Sequence, residues 1–223
     1  MKTGFKNKKA IIFDLDGTLA DTIGAITEAV NFTMEHFGYP TRSENDVLNA
    51  IGNGATTLIR LLMPKDLSQN DELVLQVRKK YDDMYALTYL NTKETYCGIK
   101  ETIKVLAFEK KFKLAVFSNK QDIYVKALTE QFFPDGAVSV ARGQTELPIK
   151  PNISGLQKIL EELDVSIEES VFVGDSEVDV KTAENADMDF IGVSWGFSGK
   201  ERLMASGAQT VIDSPNEMLN ILC

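Results

Sequence analysis

The chain has 223 residues, 43% hydrophobic and 26% charged, which suits one large domain or a core domain that carries a smaller one. Its formal net charge of −9 argues against a surface for nucleic acid or for an anionic membrane. No uninterrupted apolar run is longer than four residues, so the sequence predicts neither a transmembrane helix nor the core of a signal peptide.

Cysteine and histidine are too scarce for several kinds of catalytic site. The two cysteines, Cys97 and Cys223, show neither zinc-binding spacing nor a disulfide framework, which favours a cytoplasmic location. His36 is the only histidine, so Ser-His-Asp, Cys-His and multi-histidine metal sites are excluded. If the protein is an enzyme, carboxylates and lysines must carry its chemistry.

The first predicted element is a buried strand that ends in two carboxylates. The apolar run at residues 10–13 leads directly into Asp14, Leu15 and Asp16, and a Gly-Thr turn follows. In open α/β sheets, ligands bind at the carboxyl edge of the strands. Two acids this close repel each other, so either a cation or a proton held by one of them must compensate.

Residues 21–90 show helical signals and no strand period. A helix is expected from Asp21-Thr22 to Phe37, with shorter helices over 43–51 and 55–63. A long helix follows, and the three- and four-residue spacing of its apolar residues predicts a buried face of Leu73, Val77, Tyr81 and Met84. This stretch is therefore predicted to be a helical insert.

From about residue 98 the pattern alternates between strands and helices. Strands are predicted, in chain order, over residues 113–118, 137–141, 171–174, 190–193 and 209–213. Helices are predicted over residues 178–187 and at the C-terminus. Two more helices are predicted from their apolar faces, which are formed by Ile123, Ala127, Leu128 and Phe132 and by Ile153, Leu156, Leu160 and Leu163. Such alternation predicts parallel β-α-β units with helices on both faces of one sheet.

Three further polar clusters follow predicted strands. Ser118-Asn119-Lys120 and residues 174–179 come directly after core strands, and Lys150-Pro151 lies in a later loop. Parallel strands bring these loops to the same edge as Asp14 and Asp16. The sequence therefore predicts that four carboxylates, a hydroxyl and a lysine converge at this edge.

These clusters resemble the four motifs of the haloacid dehalogenase superfamily, in particular its phosphatases with a helical cap inserted after the first motif. The motifs occur in the family's order: Asp14 to Leu19, Ser118-Asn119, Lys150-Pro151, and Gly174-Asp175-Ser176 with Asp179. The resemblance covers essentially the whole chain. Further stretches are similar to the phosphoglycolate phosphatase branch: residues 51–55, 179–186, 195–196 and 207–208.

The resemblance implies an α/β fold with a Rossmann-like parallel sheet core, helices on both faces, and an inserted all-helical cap domain. We expect residues 1–20 and 92–223 to form the catalytic core and residues 21–91 to form the cap. The expected linkers lie near residues 19–21 and 91–98.

The family pattern also implies a reaction and a metal. Asp14 is the expected nucleophile, which forms an aspartyl-phosphate, and Asp16 is the expected acid and then base. The expected cofactor is Mg²⁺, bound by the side chains of Asp14 and Asp175 and by the backbone carbonyl of Asp16. Asp179 is expected to join this metal site through a water molecule or by orienting its neighbours.

Further residues are expected to bind the phosphate ester. Lys150 would neutralise the phosphoryl oxygens, and Ser118 would hydrogen-bond them, so both are expected catalytic residues. Gly17, Thr18 and Asn119 are expected substrate-binding residues.

The insert is expected to carry specificity. Asn53 and Arg60 are the polar groups nearest its loop of glycines at residues 52–54, and either could bind a substrate carboxylate. That loop lacks the Schiff-base lysine of phosphonate-cleaving relatives, and residues 21–30 lack the histidine of sugar-phosphate mutases. Dehalogenases lack the second acid, which is present here as Asp16. Of the reactions known in the family, the resemblance therefore implies hydrolysis of a phosphate ester.

The predicted function is therefore a Mg²⁺-dependent phosphatase for a small metabolite, with 2-phosphoglycolate as the first substrate to test. Two alternatives stay open. One is the same chemistry on pyrophosphate, a sugar phosphate or a nucleoside monophosphate; the other is a non-catalytic protein that binds a phosphorylated ligand. The expected partner is a small phosphate ester rather than nucleic acid or membrane, and the chain is expected to be a monomer or homodimer.

Overall fold

A computed structural model describes residues 5, 7–92 and 94–223, and these form two compact units. One unit contains the described residues up to Ala20 together with Glu94–Cys223, and the other contains the described residues from Asp21 to Thr92. Residues 1–4 and 6 of the expected core segment, and Lys93 of the expected linker, lie outside the described residues.

The unit that begins at Asp21 is helical. Its helices are α1 (Ile23–His36), α2 (Glu44–Leu48), α3 (Gly54–Leu62), α4 (Asp71–Thr88) and a short 3-10 helix (Tyr89–Asn91). Ser43 and Asp46 form a capping box at the start of α2, in which each side chain accepts a hydrogen bond from the other's backbone N–H. Asn70 caps α4 by accepting a hydrogen bond from the Leu73 N–H.

The other unit is built on one parallel sheet. Its described strands are β1 (Ala10–Phe13), β2 (Lys113–Gln121), β3 (Val140–Gln144), β4 (Ser170–Gly174), β5 (Asp189–Val193) and β6 (Val211–Ile212), which lie in the order β3-β2-β1-β4-β5-β6. Neighbouring strands all pair in parallel. Successive residues of β1 point to opposite faces and all are buried, so both faces of the sheet are covered there.

Helices alternate with these strands along the chain: α5 (Ile99–Lys104), α6 (Asp122–Phe132), α7 (Ser154–Leu163), α8 (Glu177–Asn185), α9 (Gly199–Ala205) and α10 (Asn216–Leu222). A π-helical turn, Val105–Glu109, extends α5. Leu156 and Ile159 of α7 are fully buried in a core cluster with Phe117 and Phe172 of the sheet. The α/β fold class predicted from the sequence is confirmed.

The prediction of a strand over residues 137–141 is wrong in position. The strand β3 begins at Val140 and ends at Gln144, because it pairs with β2 through Ala115 and Val140 and continues to the carboxyl end of that strand. Its polar residues do not show strand periodicity. Pairing with β2, not local pattern, therefore determines where β3 lies. At the other edge, β6 is shorter than predicted and comprises only Val211–Ile212.

Two predicted helix faces also need correction. Ile123 is 68% exposed, since it lies five residues from Leu128 and so about 140° around α6 from the buried face. The buried residues of α6 are Tyr124, Val125, Leu128, Thr129 and Phe132. On α4 the buried residues are Val74, Val77, Tyr81, Tyr85 and Thr88, whereas Leu73 and Met84 are only half-buried. The helix α9 was not predicted, because Leu203 is its only buried residue and no periodicity results.

Candidate active site

Three carboxylates from distant parts of the chain meet at the carboxyl edge of the sheet. Asp14 directly follows β1, Asp175 directly follows β4, and Asp179 lies in the first turn of α8. One oxygen of each carboxylate lies within 4.8 Å of an oxygen of the others, and all three residues are buried. Because β1 and β4 pair with each other in register, their ends are adjacent.

Lys150 lies between two of these acids. Its Nζ is 3.0 Å from Asp14 Oδ1 and 2.7 Å from Asp179 Oδ1, and its side chain is only 2% exposed. The rings of Phe117 and Phe172 lie below the ammonium, 5.8 and 5.6 Å from Nζ to the ring centroids. Lys150 is therefore a buried lysine that forms ion pairs with two acids and packs against two aromatic rings.

Asn119 holds the backbone of Lys150. The Lys150 N–H donates to Asn119 Oδ1 at 2.7 Å, and Asn119 Nδ2 donates to the Lys150 carbonyl at 3.0 Å. These two hydrogen bonds join the loop that carries Lys150 to the end of β2. Asn119 therefore positions the backbone of Lys150, and its expected role in substrate binding stays a prediction.

Asp175 is enclosed by two loops. Thr18 Oγ1 donates to Asp175 Oδ1 at 2.9 Å, and the Phe197 N–H donates to Asp175 Oδ2 at 2.7 Å. A Cβ on Gly17 would lie 2.3 Å from Asp175 Oδ2, and a Cβ on Gly196 would lie 2.3 Å from the Asp175 Cβ. Both glycines are therefore required for the close approach of backbone to this carboxylate.

Asp179 has a second contact, with the start of its own helix. Ser176 and Asp179 form a capping box, in which Ser176 Oγ and the Ser176 N–H donate to Asp179 Oδ2 at 2.6 and 3.1 Å. Its other oxygen accepts from Lys150. A Cβ on Gly174 would lie 2.5 Å from the Asp179 carboxyl carbon, so glycine is needed here too.

Asp16 does not belong to this cluster of three acids but pairs with a different lysine. Lys120 Nζ donates to Asp16 Oδ1 and Oδ2 at 2.8 and 2.9 Å. Lys120 lies beside Ser118 and Asn119 in the sequence, which gave it no predicted role. Ser118 is 3% exposed, and its Oγ accepts a long hydrogen bond of 3.4 Å from the Lys120 N–H.

The loop that follows β5 also contacts the site, whereas the sequence pointed to its residues 195–196 only as a similarity to the phosphoglycolate phosphatase branch. The Trp195 Nε1–H donates to the Thr18 carbonyl at 3.1 Å, and the next two residues contact Asp175. This loop therefore contacts both the first and the fourth motif. Gly196 was the available signal, because glycine is the residue that admits a close approach of backbone.

The predicted substrate ligands of the insert lie in the helical unit. Asn53 is exposed and precedes α3. The guanidinium of Arg60 donates to the Ser68 carbonyl and to Asp71 Oδ1, both at 2.7 Å. These contacts lie within that unit, and the roles expected for Asn53 and Arg60 stay predictions.

Burial and mutual repulsion perturb the ionisation of the three acids. Burial raises the pKa of Asp14 to about 7, although the Lys150 ammonium opposes the shift. Burial, together with the charges of Asp179 and Asp14, raises the pKa of Asp175 well above its usual range. Burial alone would lower the pKa of Lys150, but its two carboxylate partners outweigh burial and raise it. The site thus favours bound positive charge.

The residues present fit a hard divalent cation. Asp14, Asp175 and Asp179 supply buried carboxylate oxygens, which are the ligands that Mg²⁺ prefers. Asp16 brings the carboxylates to four, and Lys120 and Lys150 contribute two positive charges, so the group carries a formal charge of −2 when all four carboxylates are ionised. One divalent ion would balance that charge.

Buried acids, a lysine and a hydroxyl at the carboxyl edge of a parallel sheet define a class of hydrolase. The family model for haloacid dehalogenase-like hydrolases matches residues 11–193, which is most of the chain. The chain therefore belongs to this family. Its site and its relatives make it a phosphoric monoester hydrolase.

The chain is similar to known proteins over nearly their full lengths. The chain is 32% identical over 219 residues to a phosphoglycolate phosphatase of Vibrio parahaemolyticus, covering 96% of each. It is 31% identical over 228 residues to a phosphoglycolate phosphatase of Haemophilus influenzae, covering 100% of each. The crystal structure of a predicted phosphoglycolate phosphatase from Haemophilus somnus superimposes with a TM-score of 0.89 at 26% identity, covering 99% of this chain and 100% of that one.

In the part of the chain that the structure describes, every helix is too short or too polar to cross a bilayer.

Proposed function

We propose that this protein is a Mg²⁺-dependent phosphatase that hydrolyses a small phosphate monoester through an aspartyl-phosphate on Asp14, with 2-phosphoglycolate as its substrate. The single observation that carries the proposal is the buried cluster of Asp14, Asp175 and Asp179 with Lys150 paired to Asp14 at 3.0 Å. We propose a cytoplasmic location, since the proposed substrate is a small metabolite.

Asp14 is the acid best placed to act as nucleophile. It directly follows the central strand, and its Oδ1 accepts a hydrogen bond of 2.7 Å from the Leu15 N–H, which restricts rotation of the carboxylate. Mg²⁺ held by Asp14, Asp175 and Asp179 would keep the Asp14 carboxylate ionised and would neutralise the negative charge of the substrate. Lys150 would add positive charge where the phosphoryl oxygens gather charge.

The reaction proceeds in two displacements. An Asp14 carboxylate oxygen attacks phosphorus, the bond from phosphorus to the ester oxygen breaks, and Asp16, which enters this step protonated, donates its proton to the departing alkoxide. Asp16 then removes a proton from water, whose oxygen attacks phosphorus and breaks the bond to Asp14. Inorganic phosphate leaves, and both aspartates return to their starting protonation states.

The substrate is proposed from the relatives. Both curated relatives described above are phosphoglycolate phosphatases at 31–32% identity over nearly the full chain. Such a substrate carries a carboxylate besides its phosphate, and we propose that the helical unit is a cap whose polar residues, Asn53 and Arg60 among them, bind it.

Phosphate release from a panel of esters tests the proposal. We expect release that requires Mg²⁺ and stops with a chelator, with the highest kcat/KM on 2-phosphoglycolate. Asp14→Asn keeps the shape of the side chain but removes the nucleophile, so it should abolish turnover while the thermal transition stays cooperative. Asp135→Asn, at an exposed aspartate, is the matched control.

Three results would contradict different parts of the proposal. Near-normal turnover in Asp14→Asn would exclude the aspartyl-phosphate. Full activity in the presence of chelator would exclude the metal. A higher kcat/KM on pyrophosphate, a sugar phosphate or a nucleoside monophosphate would leave the chemistry intact and change the substrate.

A further inference from the structure

The strand β2 carries an irregularity at its carboxyl end. Phe117 pairs with Arg142, but the next pair joins Gln121 to Gln144, so four residue steps on β2 match two on β3. Residues 118–120 therefore bulge opposite Gly143. Bulges next to active sites re-aim side chains, and this one lies at the edge where the acids of the site converge.

The bulge depends on a glycine in the neighbouring strand. A Cβ on Gly143 would lie 2.5 Å from the Lys120 carbonyl oxygen and 2.6 Å from the Asp122 Cα, both backbone atoms. The Gly143 N–H also donates to Asp122 Oδ1 at 2.9 Å. The backbone of Lys120 is thus held in place by β3 and by the start of α6.

From this backbone position, the Lys120 side chain holds both oxygens of one carboxylate. Nζ is 2.8 Å from Asp16 Oδ1 and 2.9 Å from Asp16 Oδ2, and the two side chains are 7% and 15% exposed. A carboxylate held through both oxygens cannot rotate freely about its Cβ–Cγ bond. Charge-assisted hydrogen bonds of this length are also stronger than neutral ones.

The two buried lysines of the site are thus divided between the two aspartates of the first motif. Lys150 contacts Asp14 and Asp179, whereas Lys120 contacts Asp16. We propose that Lys120 is a positioning residue, which holds the Asp16 side chain in the orientation from which Asp16, once protonated, donates a proton to the leaving group. The inference rests on the proposed role of Asp16 as acid and base.

This role makes a prediction that depends on the leaving group. An alkyl phosphate releases a strongly basic alkoxide that needs a proton as it departs, so misplacing Asp16 slows that step. An aryl phosphate such as p-nitrophenyl phosphate releases a weakly basic phenolate that needs little protonation. The parameter kcat/KM covers the steps up to departure of the leaving group. The ratio of kcat/KM between the alkyl and the aryl ester therefore isolates the effect of Lys120 on protonation of the leaving group.

The experiment measures kcat/KM of the Mg²⁺-loaded protein on three esters: 2-phosphoglycolate, glycerol 3-phosphate and p-nitrophenyl phosphate. General acid–base catalysis contributes about 10²- to 10⁴-fold, so Lys120→Met should lower kcat/KM on both alkyl esters by about 10- to 100-fold more than on the aryl ester. Lys120→Arg, which can also pair with both oxygens, should restore most of the loss.

Two further variants separate positioning from general damage. Asp16→Asn combined with Lys120→Met should lose no more alkyl-ester activity than Asp16→Asn alone, because the lysine acts through the aspartate. Lys126→Met, which removes an exposed lysine from its ion pair with Asp122, is the matched control and should leave the ester ratio unchanged. If Lys120→Met does not fold, Lys120→Gln against Lys120→Arg provides the same comparison.

Each other outcome overturns the inference in a recognisable way. Equal losses on all three esters would show a structural role only. A loss confined to 2-phosphoglycolate would show that Lys120 binds the substrate carboxylate. Additive losses in the double variant would show that Lys120 acts independently of Asp16. A wild-type protein that hydrolyses no ester would overturn the proposed function and this inference with it.

Discussion

Removing the Lys150 ammonium should destabilise the metal-free protein, because Lys150→Met leaves Asp14 and Asp179 buried without their shared cation. At an effective dielectric constant of about 20, unit charges at these distances of 2.7 and 3.0 Å attract by about 6 kcal/mol each. Desolvation of the ammonium offsets much of that attraction. Loss of one partner from a buried ion pair costs about 3–5 kcal/mol in net stability.

For a chain of this length, that loss corresponds to a fall of about 6–20 °C in the melting temperature. Thermal unfolding of both proteins at pH 8 without metal measures it. The deficit should shrink at pH 5, where Asp14, whose pKa is raised to about 7, can hold a proton, and also when Mg²⁺ supplies positive charge. Lys158→Met, at an exposed lysine 3.7 Å from Glu161, is the control. A difference of less than 2 °C between metal-free Lys150→Met and wild type at pH 8 corresponds to ~1 kcal/mol or less, and it would refute the reasoning.

Two further predictions concern the same cluster. The pKa of Asp14 is raised to about 7 and that of Asp175 is also raised, so the folded metal-free protein binds more protons than the unfolded chain. Its melting temperature should therefore fall as the pH rises from about 4 through 7. Mg²⁺ should abolish that fall, and a melting temperature of the metal-free protein that does not change with pH would contradict the raised pKa values. Gly196→Ala places a Cβ 2.3 Å from the Asp175 Cβ and 2.4 Å from the Gly17 carbonyl oxygen, so we expect a loss of about 1–3 kcal/mol in stability and weaker Mg²⁺ binding by calorimetry. Gly24→Ala, which meets nothing within 4 Å, is the control, and equal effects of the two variants would contradict the steric argument.

The parts of this protein that could be predicted are those in which neighbours along the chain carry the signal. The apolar run before Asp14 identified β1, and the alternation of strands and helices after residue 98 identified the α/β class. The order of the four motifs identified the family. Topology alone then predicted that Asp14, Asp175 and Lys150 would meet, because parallel strands present their carboxyl ends at one edge.

Other features arise only from pairing between distant segments. The position of β3 and the bulge of β2 follow from the register between the two strands, which no local pattern of polar residues reveals. The contact between Lys120 and Asp16 joins residues 104 positions apart. The raised pKa of Asp14 likewise depends on burial among distant groups.

The amino-acid sequence by itself determined which side chains follow β1 and β4, since periodicity and turn chemistry act over a few residues. Only the tertiary structure decided how the two lysines are shared among the acids and which glycines admit the loops around Asp175. Those choices depend on distances of 3 Å or less between atoms, which are established when the sheet assembles and not along the chain.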